Sequence, residues 1–368
     1  MPRIALLVAL LALVCRWSPG QEVVDDGYPV SSLRLPGVDP FGLAWPCIEP
    51  FVFESPLDTT YVTADLVAFR RDWQASQIFA TRDTTTDSVL GTHDLPFVFQ
   101  PGLKLLAGRR MNDWFALEAS YLGLLDWNES REVRDSTEND LGTAGNLFSP
   151  FSNFGDPPLI GFDYNNFASI RVVSTFHNAE LNLRQRLGTP PSVIQASALW
   201  GLRYINVQDR FSYRTQSLEP VVDGTNTAID VQARNSLFGV QVGMAVECQI
   251  ERRCWLLFEA KGMLLSNSAS QQTNYSFGPL AGPDATISGT RSQGRATLGG
   301  DLAATLEWKV TPSIVARFGY QGIFLDGLAL GSNNLLRNLA GMTTNPNELS
   351  DDGHLGYQGP FAGVTVTW

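Results

Sequence analysis

Between residues 295 and 324 the chain alternates apolar and polar positions with a period of two. Ala296, Leu298, Gly300, Leu302, Ala304, Leu306 and Trp308 fall on one face. Arg295, Thr297, Gly299, Asp301, Ala303, Thr305 and Glu307 fall on the other. After a short turn between Lys309 and Pro312, Ile314, Ala316, Phe318, Tyr320, Gly322 and Phe324 repeat the apolar face, with Arg317, Gly319 and Gln321 opposite. Successive side chains of a strand point to opposite faces, so the pattern predicts two long antiparallel strands. They exceed the usual strand of about five or six residues. They match the roughly 9–11 residues of a bilayer-crossing strand, apolar toward lipid with aromatics at the water boundary.

The same alternation predicts strands at 61–73, 97–108, 114–127, 168–187, 193–208, 230–248, 254–266, 295–309, 313–326 and 356–368. The connections sort by length. Short ones fall at 109–113, 188–192, 249–253 and 310–312, and long ones at 74–96, 128–167, 209–229, 267–294 and 327–355. Outer-membrane barrels show this asymmetry, with short periplasmic turns and long outer loops. The expected fold is all-β: an antiparallel up-and-down transmembrane β-barrel of about ten strands. An even strand count puts both termini in the periplasm.

Composition narrows the alternatives. Charged residues make up 17% of the 368 positions and apolar residues 44%. Beyond the N-terminus no apolar run reaches the roughly 18 residues of a membrane helix. A closed barrel is then the one way to cross a bilayer with every backbone group paired. The net charge of −11 argues against nucleic acid as a partner. Residues 1–20 read as a secretory signal: Arg3, an apolar core over 4–14, and small residues Ser18 and Gly20 before Gln21. Cys15 follows Leu13 and Val14, a poor context for acylation. Residues 21–60 are proline-rich and aperiodic, read as a periplasmic segment ahead of a barrel over 61–368.

Aromatic positions suggest two interfacial belts. Tyr61, Trp114, Trp255, Trp308 and Trp368 fall at the short-turn ends of their strands; Trp73, Trp127, Tyr204, Phe211 and Phe324 fall near the long-loop ends. The last strand runs through Phe361, Val364 and Val366 to Trp368. Terminal aromatic strands of this kind resemble the signal read by the bacterial barrel-assembly machinery.

Several stretches carry a family resemblance: Glu180 to Arg184 (ELNLR), Leu199 to Tyr204 (LWGLRY), Asn235 to Gly243 with its GVQVG over 239–243, and Phe318 to Gln321 (FGYQ), with the hairpin over 103–121. Together they resemble the planctomycete outer-membrane β-barrel family of porin-like proteins, over about residues 60–368. The resemblance implies fold and location and supplies no catalytic residues or cofactor.

If the apolar face meets lipid, the other face lines the lumen. It carries Asp65, Glu118, Glu180, Glu247, Glu259, Asp301 and Glu307 with Lys104, Arg184, Arg186, Arg203, Lys261 and Arg317. A barrel of about ten strands is roughly 20 Å across its backbone, and side chains fill much of that. Charges held there must be paired. The expectation is an ion-pair network that largely occludes the lumen, as a narrow selective pore or as a polar plug. Expected partners are outer-membrane lipid, the assembly machinery through the last strand, and small solutes or ions.

Other chemistry is sparse. His93 and Asp94 lie in the first long loop, and Asp351, Asp352 and His354 in the last. If those loops met, they could activate a water, a layout similar to the omptin hydrolases in outline; this is the alternative function. His177 falls on a lipid-facing position. Cys248 and Cys254 flank a short turn where a disulfide could form, free thiols being the alternative; Cys47 would have no partner. The acidic stretch 128–140 matches no calcium loop. No metal, phosphate-cradle or serine-hydrolase motif is present. A third reading is a secreted soluble β-sandwich.

Overall fold

The computed structural model describes residues 60–73, 76–82, 87–140, 142, 144–158, 162–188, 193–217, 226–278, 285–336 and 349–368. The signal-like and proline-rich segments and Cys47 lie outside the described residues. The strands are β1 (Thr60–Trp73), β2 (Ile78–Arg82), β3 (Ser88–Gly91), β4 (Gln100–Arg110), β5 (Phe115–Arg134), β6 (Leu147–Phe148) and β7 (Asn165–Leu187). They continue with β8 (Ile194–Ser217), β9 (Asn226–Glu251), β10 (Cys254–Phe277), β11 (Ala285–Thr311), β12 (Ile314–Leu328) and β13 (Gly353–Thr367).

All pairings are antiparallel. The ten long strands run in the order β1, β4, β5, β7, β8, β9, β10, β11, β12, β13, and β13 pairs back with β1. The ring is therefore closed and has no free edge. The short strands β2, β3 and β6 attach to it through the contact of Leu147 with Asn165. Strand β1 begins and β13 ends side by side, with the Thr60 amide donating to the Trp368 carbonyl at 3.2 Å.

Five strands, β5 and β8 to β11, are longer than the alternation of apolar residues alone foretells. Much of 209–229 and 267–294, expected as outer loops, is strand in β8, β9, β10 and β11. The physical reason is an inversion of polarity within each strand. In the lower part of β8 the outward residues are Ile194, Ala196, Ala198, Trp200, Leu202 and Tyr204, and inward Arg203 is buried. Higher up, the inward residues Ile205, Val207, Phe211 and Tyr213 are apolar and buried, while outward Arg210 and Arg214 are exposed. Strands β9 and β10 change over in the same way, from outward Phe238, Val240 and Leu264 to inward Ile229, Val231 and Tyr275. A strand leaving lipid for water needs a polar outside and an apolar core.

The lower outer wall is predominantly apolar. Over 238–250 of β9, 254–264 of β10 and 314–324 of β12, the even, outward positions carry no Asp, Glu, Lys or Arg. About 11 residues of tilted strand cross a hydrocarbon layer.

The aromatic belt needs correction at several positions. Trp114, Trp308 and Trp368 do face outward, 45%, 52% and 62% exposed, and Tyr204 and Phe324 face outward nearer the long-loop end. Tyr61 and Trp255, expected in the belt, are 2% and 3% exposed and face the interior, because the odd positions of β1 and β10 are the inward ones. Phe211 and Trp127 are also fully buried inside. For Trp127 the cause is a bulge. The β5–β7 register slips between Leu122 and Leu125, and Leu124 takes a φ of 62°, which swaps the inward parity from even to odd. The Trp73 side chain lies outside the described residues.

Of the two alternatives for Cys248 and Cys254, the structure has the free thiols. Cys248 pairs across the strands with Leu256 and Cys254 with Glu251, and both thiols are free. The hairpin register offsets the two cysteines instead of setting them opposite one another.

Candidate functional site

The interior of the ring is layered, and its lowest layer is ionic. Tyr61 Oη donates to Glu118 Oε1 at 2.5 Å. Arg184 Nε donates to the same oxygen at 2.7 Å, and its Nη2 reaches Glu259 Oε2 at 3.1 Å. Lys261 Nζ bridges Glu259 (2.7 Å) and Glu180 (2.8 Å). Arg203 lies 3.5 Å from Glu180 and 3.0 Å from Asp301. Gln321 donates to Asp301 at 2.8 Å and accepts from Lys104 at 3.0 Å. Arg317 contacts Asp65 at 3.4 Å and Glu307 at 3.3 Å.

Register builds this lattice. Glu180 stands opposite Arg203, Lys261 opposite Asp301, Asp65 opposite Lys104, and Glu307 opposite Arg317. Since each of these positions points inward, opposite charges meet across neighbouring strands. Some contacts cut across the ring: Arg203 on β8 reaches β11, and Arg184 on β7 reaches β10. Glu247 and Arg186 line a hollow at the short-turn end, beside Tyr61 and Arg110.

The second layer is apolar. Val67, Phe69, Leu125, Trp127, Phe176, Ile205, Leu237, Met263, Ile323, Leu330 and Tyr357 pack into one buried cluster inside the ring. Trp127 and Tyr357 lie with ring centroids 5.3 Å apart, and Phe176 and Tyr357 4.3 Å apart. The charges expected along the lumen line its lower part; over this layer the interior is an apolar core.

Above it the segment after β12 dips into the ring. The Gly331 amide donates to Asp209 Oδ2 at 2.9 Å, and Arg71 Nη1 donates to Asp209 Oδ1 at 2.6 Å. Asn235 Oδ1 accepts from the Ala329 amide at 2.8 Å, and its Nδ2 donates to the Ala329 carbonyl at 2.8 Å. A further apolar cluster, including Phe79, Leu90, Phe151, Phe162, Tyr213 and Tyr275, closes the long-loop end. Tyr213 Oη donates to the Phe79 carbonyl at 3.1 Å, tying the short-strand annex to the wall.

Sequence reasoning missed Arg71, Asp209 and Asn235. Arg71 and Asp209 lay just inside and just outside expected strand ends. The signal that could have found them is the inverted alternation around them, with Ile205, Val207, Phe211 and Tyr213 at odd positions.

The proposed outer-mouth histidines are not gathered. His354 is exposed on the outer wall, with Nδ1 2.5 Å from Asp326 Oδ1. Asp351 and Asp352 both hold Arg295, at 3.0 and 2.8 Å. His93 contacts Ser76 and Asp94. His177 faces outward at the upper edge of the apolar wall, where its Nδ1 pairs with Tyr121 Oη at 2.8 Å. Among the described residues no group of three or more His, Cys, Asp or Glu could hold a metal ion.

Residues 61–353 match the family described as Putative beta barrel porin-7 (BBP7). Among curated proteins nothing matches. Of solved structures, the outer-membrane protease OmpT of Escherichia coli aligns at 12% identity over 85% of this chain and 98% of its own, with a TM-score of 0.41. The attachment invasion locus protein Ail of Yersinia pestis aligns at 10% identity over 84% and 99%, TM-score 0.22. A FadL homologue of Pseudomonas aeruginosa aligns at 11% identity over 83% and 89%, TM-score 0.23.

Proposed function

The chain belongs to the putative beta barrel porin-7 family, and on that premise we propose an outer-membrane barrel whose lumen is closed at rest. Its role is structural, with a narrow conduit opening only when the interior rearranges. The observation that carries this is the filling of the interior. The hollow bounded by Tyr61, Lys104, Glu118, Arg184, Glu259, Lys261 and Arg317 measures about 60 Å³. At about 10–15 Å³ of such space for each water, it holds a handful of waters and no continuous aqueous channel.

Two unlike barriers stand in series. An ion entering from the short-turn end meets carboxylates and guanidinium groups already paired with each other. It then meets an apolar layer that offers no ligand in place of its water, and such constrictions block by dewetting. Wide aqueous channels belong to barrels of 16 strands or more. We place the short-turn end, with the start of β1 and the end of β13, in the periplasm. The apolar wall takes lipid as partner, β13 is the strand offered to the assembly machinery, and any solutes are small. The role is non-enzymatic, in keeping with the dispersed histidines.

Single-channel recording in planar bilayers tests this. The protein, inserted at high salt, is expected to give long silent baselines with rare small steps. A steady open level on the scale of a water-filled porin would sink the reading.

A further inference from the structure

A hollow of about 500 Å³ lies against the outer wall, not in the lumen. It sits on the upper parts of β5, β7 and β8 and is lined by Arg131, Arg171 and Arg214 with Ser130, Ser212 and Glu132. Register extends the charge downward. Arg171 stands opposite Ser212, so Arg210 and Arg214 flank it diagonally. Arg234 on β9 is diagonal to Arg210, because Gln208 faces Arg234 and Gln232 faces Arg210. Diagonal neighbours on one face lie about 7–8 Å apart, close enough for like charges to repel.

The surroundings offset the arginines only in part, through Asp230, diagonal to Arg210 and Arg214, and Glu132, diagonal to Arg171. Arg171 Nε donates to Asn128 Oδ1 at 2.9 Å. Arg210, Arg214 and Arg234 have no ion pair among the described residues. The nearby acids are Glu132, 3.7 Å from Arg134, and Asp230, which accepts from Ser212 at 2.5 Å. Such a surface calls for an anion with several charged groups.

Height chooses the kind of anion. Tyr204 and Phe238 face each other at the top of the apolar wall. Arg234 is four residues above Phe238 and Arg210 six above Tyr204. At about 3.3 Å per residue and a tilt of about 40°, they stand roughly 10–15 Å above the acyl chains, and the hollow rises higher still. A simple phospholipid headgroup layer is only about 5–8 Å deep. Phosphates carried on sugars reach this level; phosphates next to glycerol do not.

We propose that Arg171, Arg210, Arg214 and Arg234 dock the phosphorylated sugar headgroup of an outer-leaflet glycolipid, whose acyl chains lie on the apolar wall below. Guanidinium groups suit phosphate oxygens because they donate in pairs. The inference rests on residence in an outer membrane and is independent of whether the lumen conducts.

The test uses the full chain, folded in neutral detergent, with native mass spectrometry reading bound lipid. The probes are lipid A, its dephosphorylated form, phosphatidylglycerol and inorganic phosphate. The parent protein should retain lipid A well above the other lipids. Arg171→Gln, Arg210→Gln and Arg214→Gln together should weaken retention roughly a hundredfold, about fivefold for each arginine near a charged surface. The matching lysine triple should recover part of the loss, the share that charge alone supplies. These positions face outward, and heat-modified gel migration checks that each variant is folded. Equal retention by the glutamine triple overturns the proposal, as does no lipid A bound to the folded parent. Phosphatidylglycerol bound as tightly as lipid A overturns the glycolipid assignment. Displacement of lipid A by equimolar phosphate makes the hollow a free-anion site and overturns the docking.

Discussion

Arg71 and Asp209, 138 positions apart in sequence, form an ion pair at 2.6 Å with neither side chain exposed. Asp209 also accepts from the Gly331 amide, so one carboxylate joins β1, β8 and the segment after β12. Losing one partner of a buried pair costs about 3–5 kcal/mol because the other charge stays buried without compensation. Asp209→Ala should therefore lower unfolding stability by about that amount, read as a shifted urea midpoint of heat-modified gel migration. Asp209→Asn keeps an acceptor for Gly331 and should lose less. Equal loss in both variants would show that the charge alone holds the segment and that the acceptor for Gly331 adds nothing.

Closure by two layers predicts that neither alone is the gate. Arg203→Ala with Asp301→Ala removes a contact that cuts across the ionic layer, and both charges go together. Trp127→Ala removes the largest side chain of the apolar layer at a cost of about 3–5 kcal/mol. Each change by itself should leave bilayers nearly silent. The three substitutions combined should give resolvable conductance steps. Full conductance from the Trp127 variant alone would show that the ionic lattice is permeable as it stands.

The lower barrel was legible in the sequence because lipid imposes one rule on every strand. Alternation such as Ala296 to Trp308 against Arg295 to Glu307 marks both strand and face. Opposite charges such as Glu180 and Arg203 could be placed on the inner face, but not paired, since pairing depends on register between strands. The upper barrel reads less easily. There the apolar residues move to the inner face, so Phe211 and Tyr213 look like belt or loop aromatics although they are core. Trp127 was misplaced by the bulge after Leu122, which leaves little local signal beyond Gly123. Tyr61 and Trp255 were misplaced because position along the strand was weighed above parity.

Gly108 leaves room for Tyr61. The two face each other across β1 and β4, and a Cβ on Gly108 would fall 2.1 Å from Tyr61 Cζ. Gly108→Ala should push the ring away from Glu118 and break their hydrogen bond, costing about 1–3 kcal/mol. Tyr61→Ala carries its own loss from the cavity and the unpaired Glu118 oxygen. Once the ring is gone, the extra methyl has nothing to strike. The double variant should thus be no less stable than Tyr61→Ala alone, a coupling of the size of the Gly108→Ala effect, measured by urea unfolding. Simple additivity would mean the ring has other room to move.

Tryptophan orientation can be read from lipid. Trp114, Trp308 and Trp368 face outward, whereas Trp127 and Trp255 are enclosed by the wall. Bromine on acyl chains quenches indoles only at contact range. In a background with the other tryptophans replaced by phenylalanine, Trp308 alone should be strongly quenched by brominated lipid. Trp255 alone should hardly respond, although its neighbour across the β10–β11 pair is Glu307, one residue before Trp308. The contrast at equal height isolates parity, since depth in the bilayer is the same for both. Quenching of Trp255 as strong as that of Trp308 would mean that β10 presents its odd face to lipid. Lys261, on that same face, would then stand in hydrocarbon, and the arrangement of the ionic layer would be wrong.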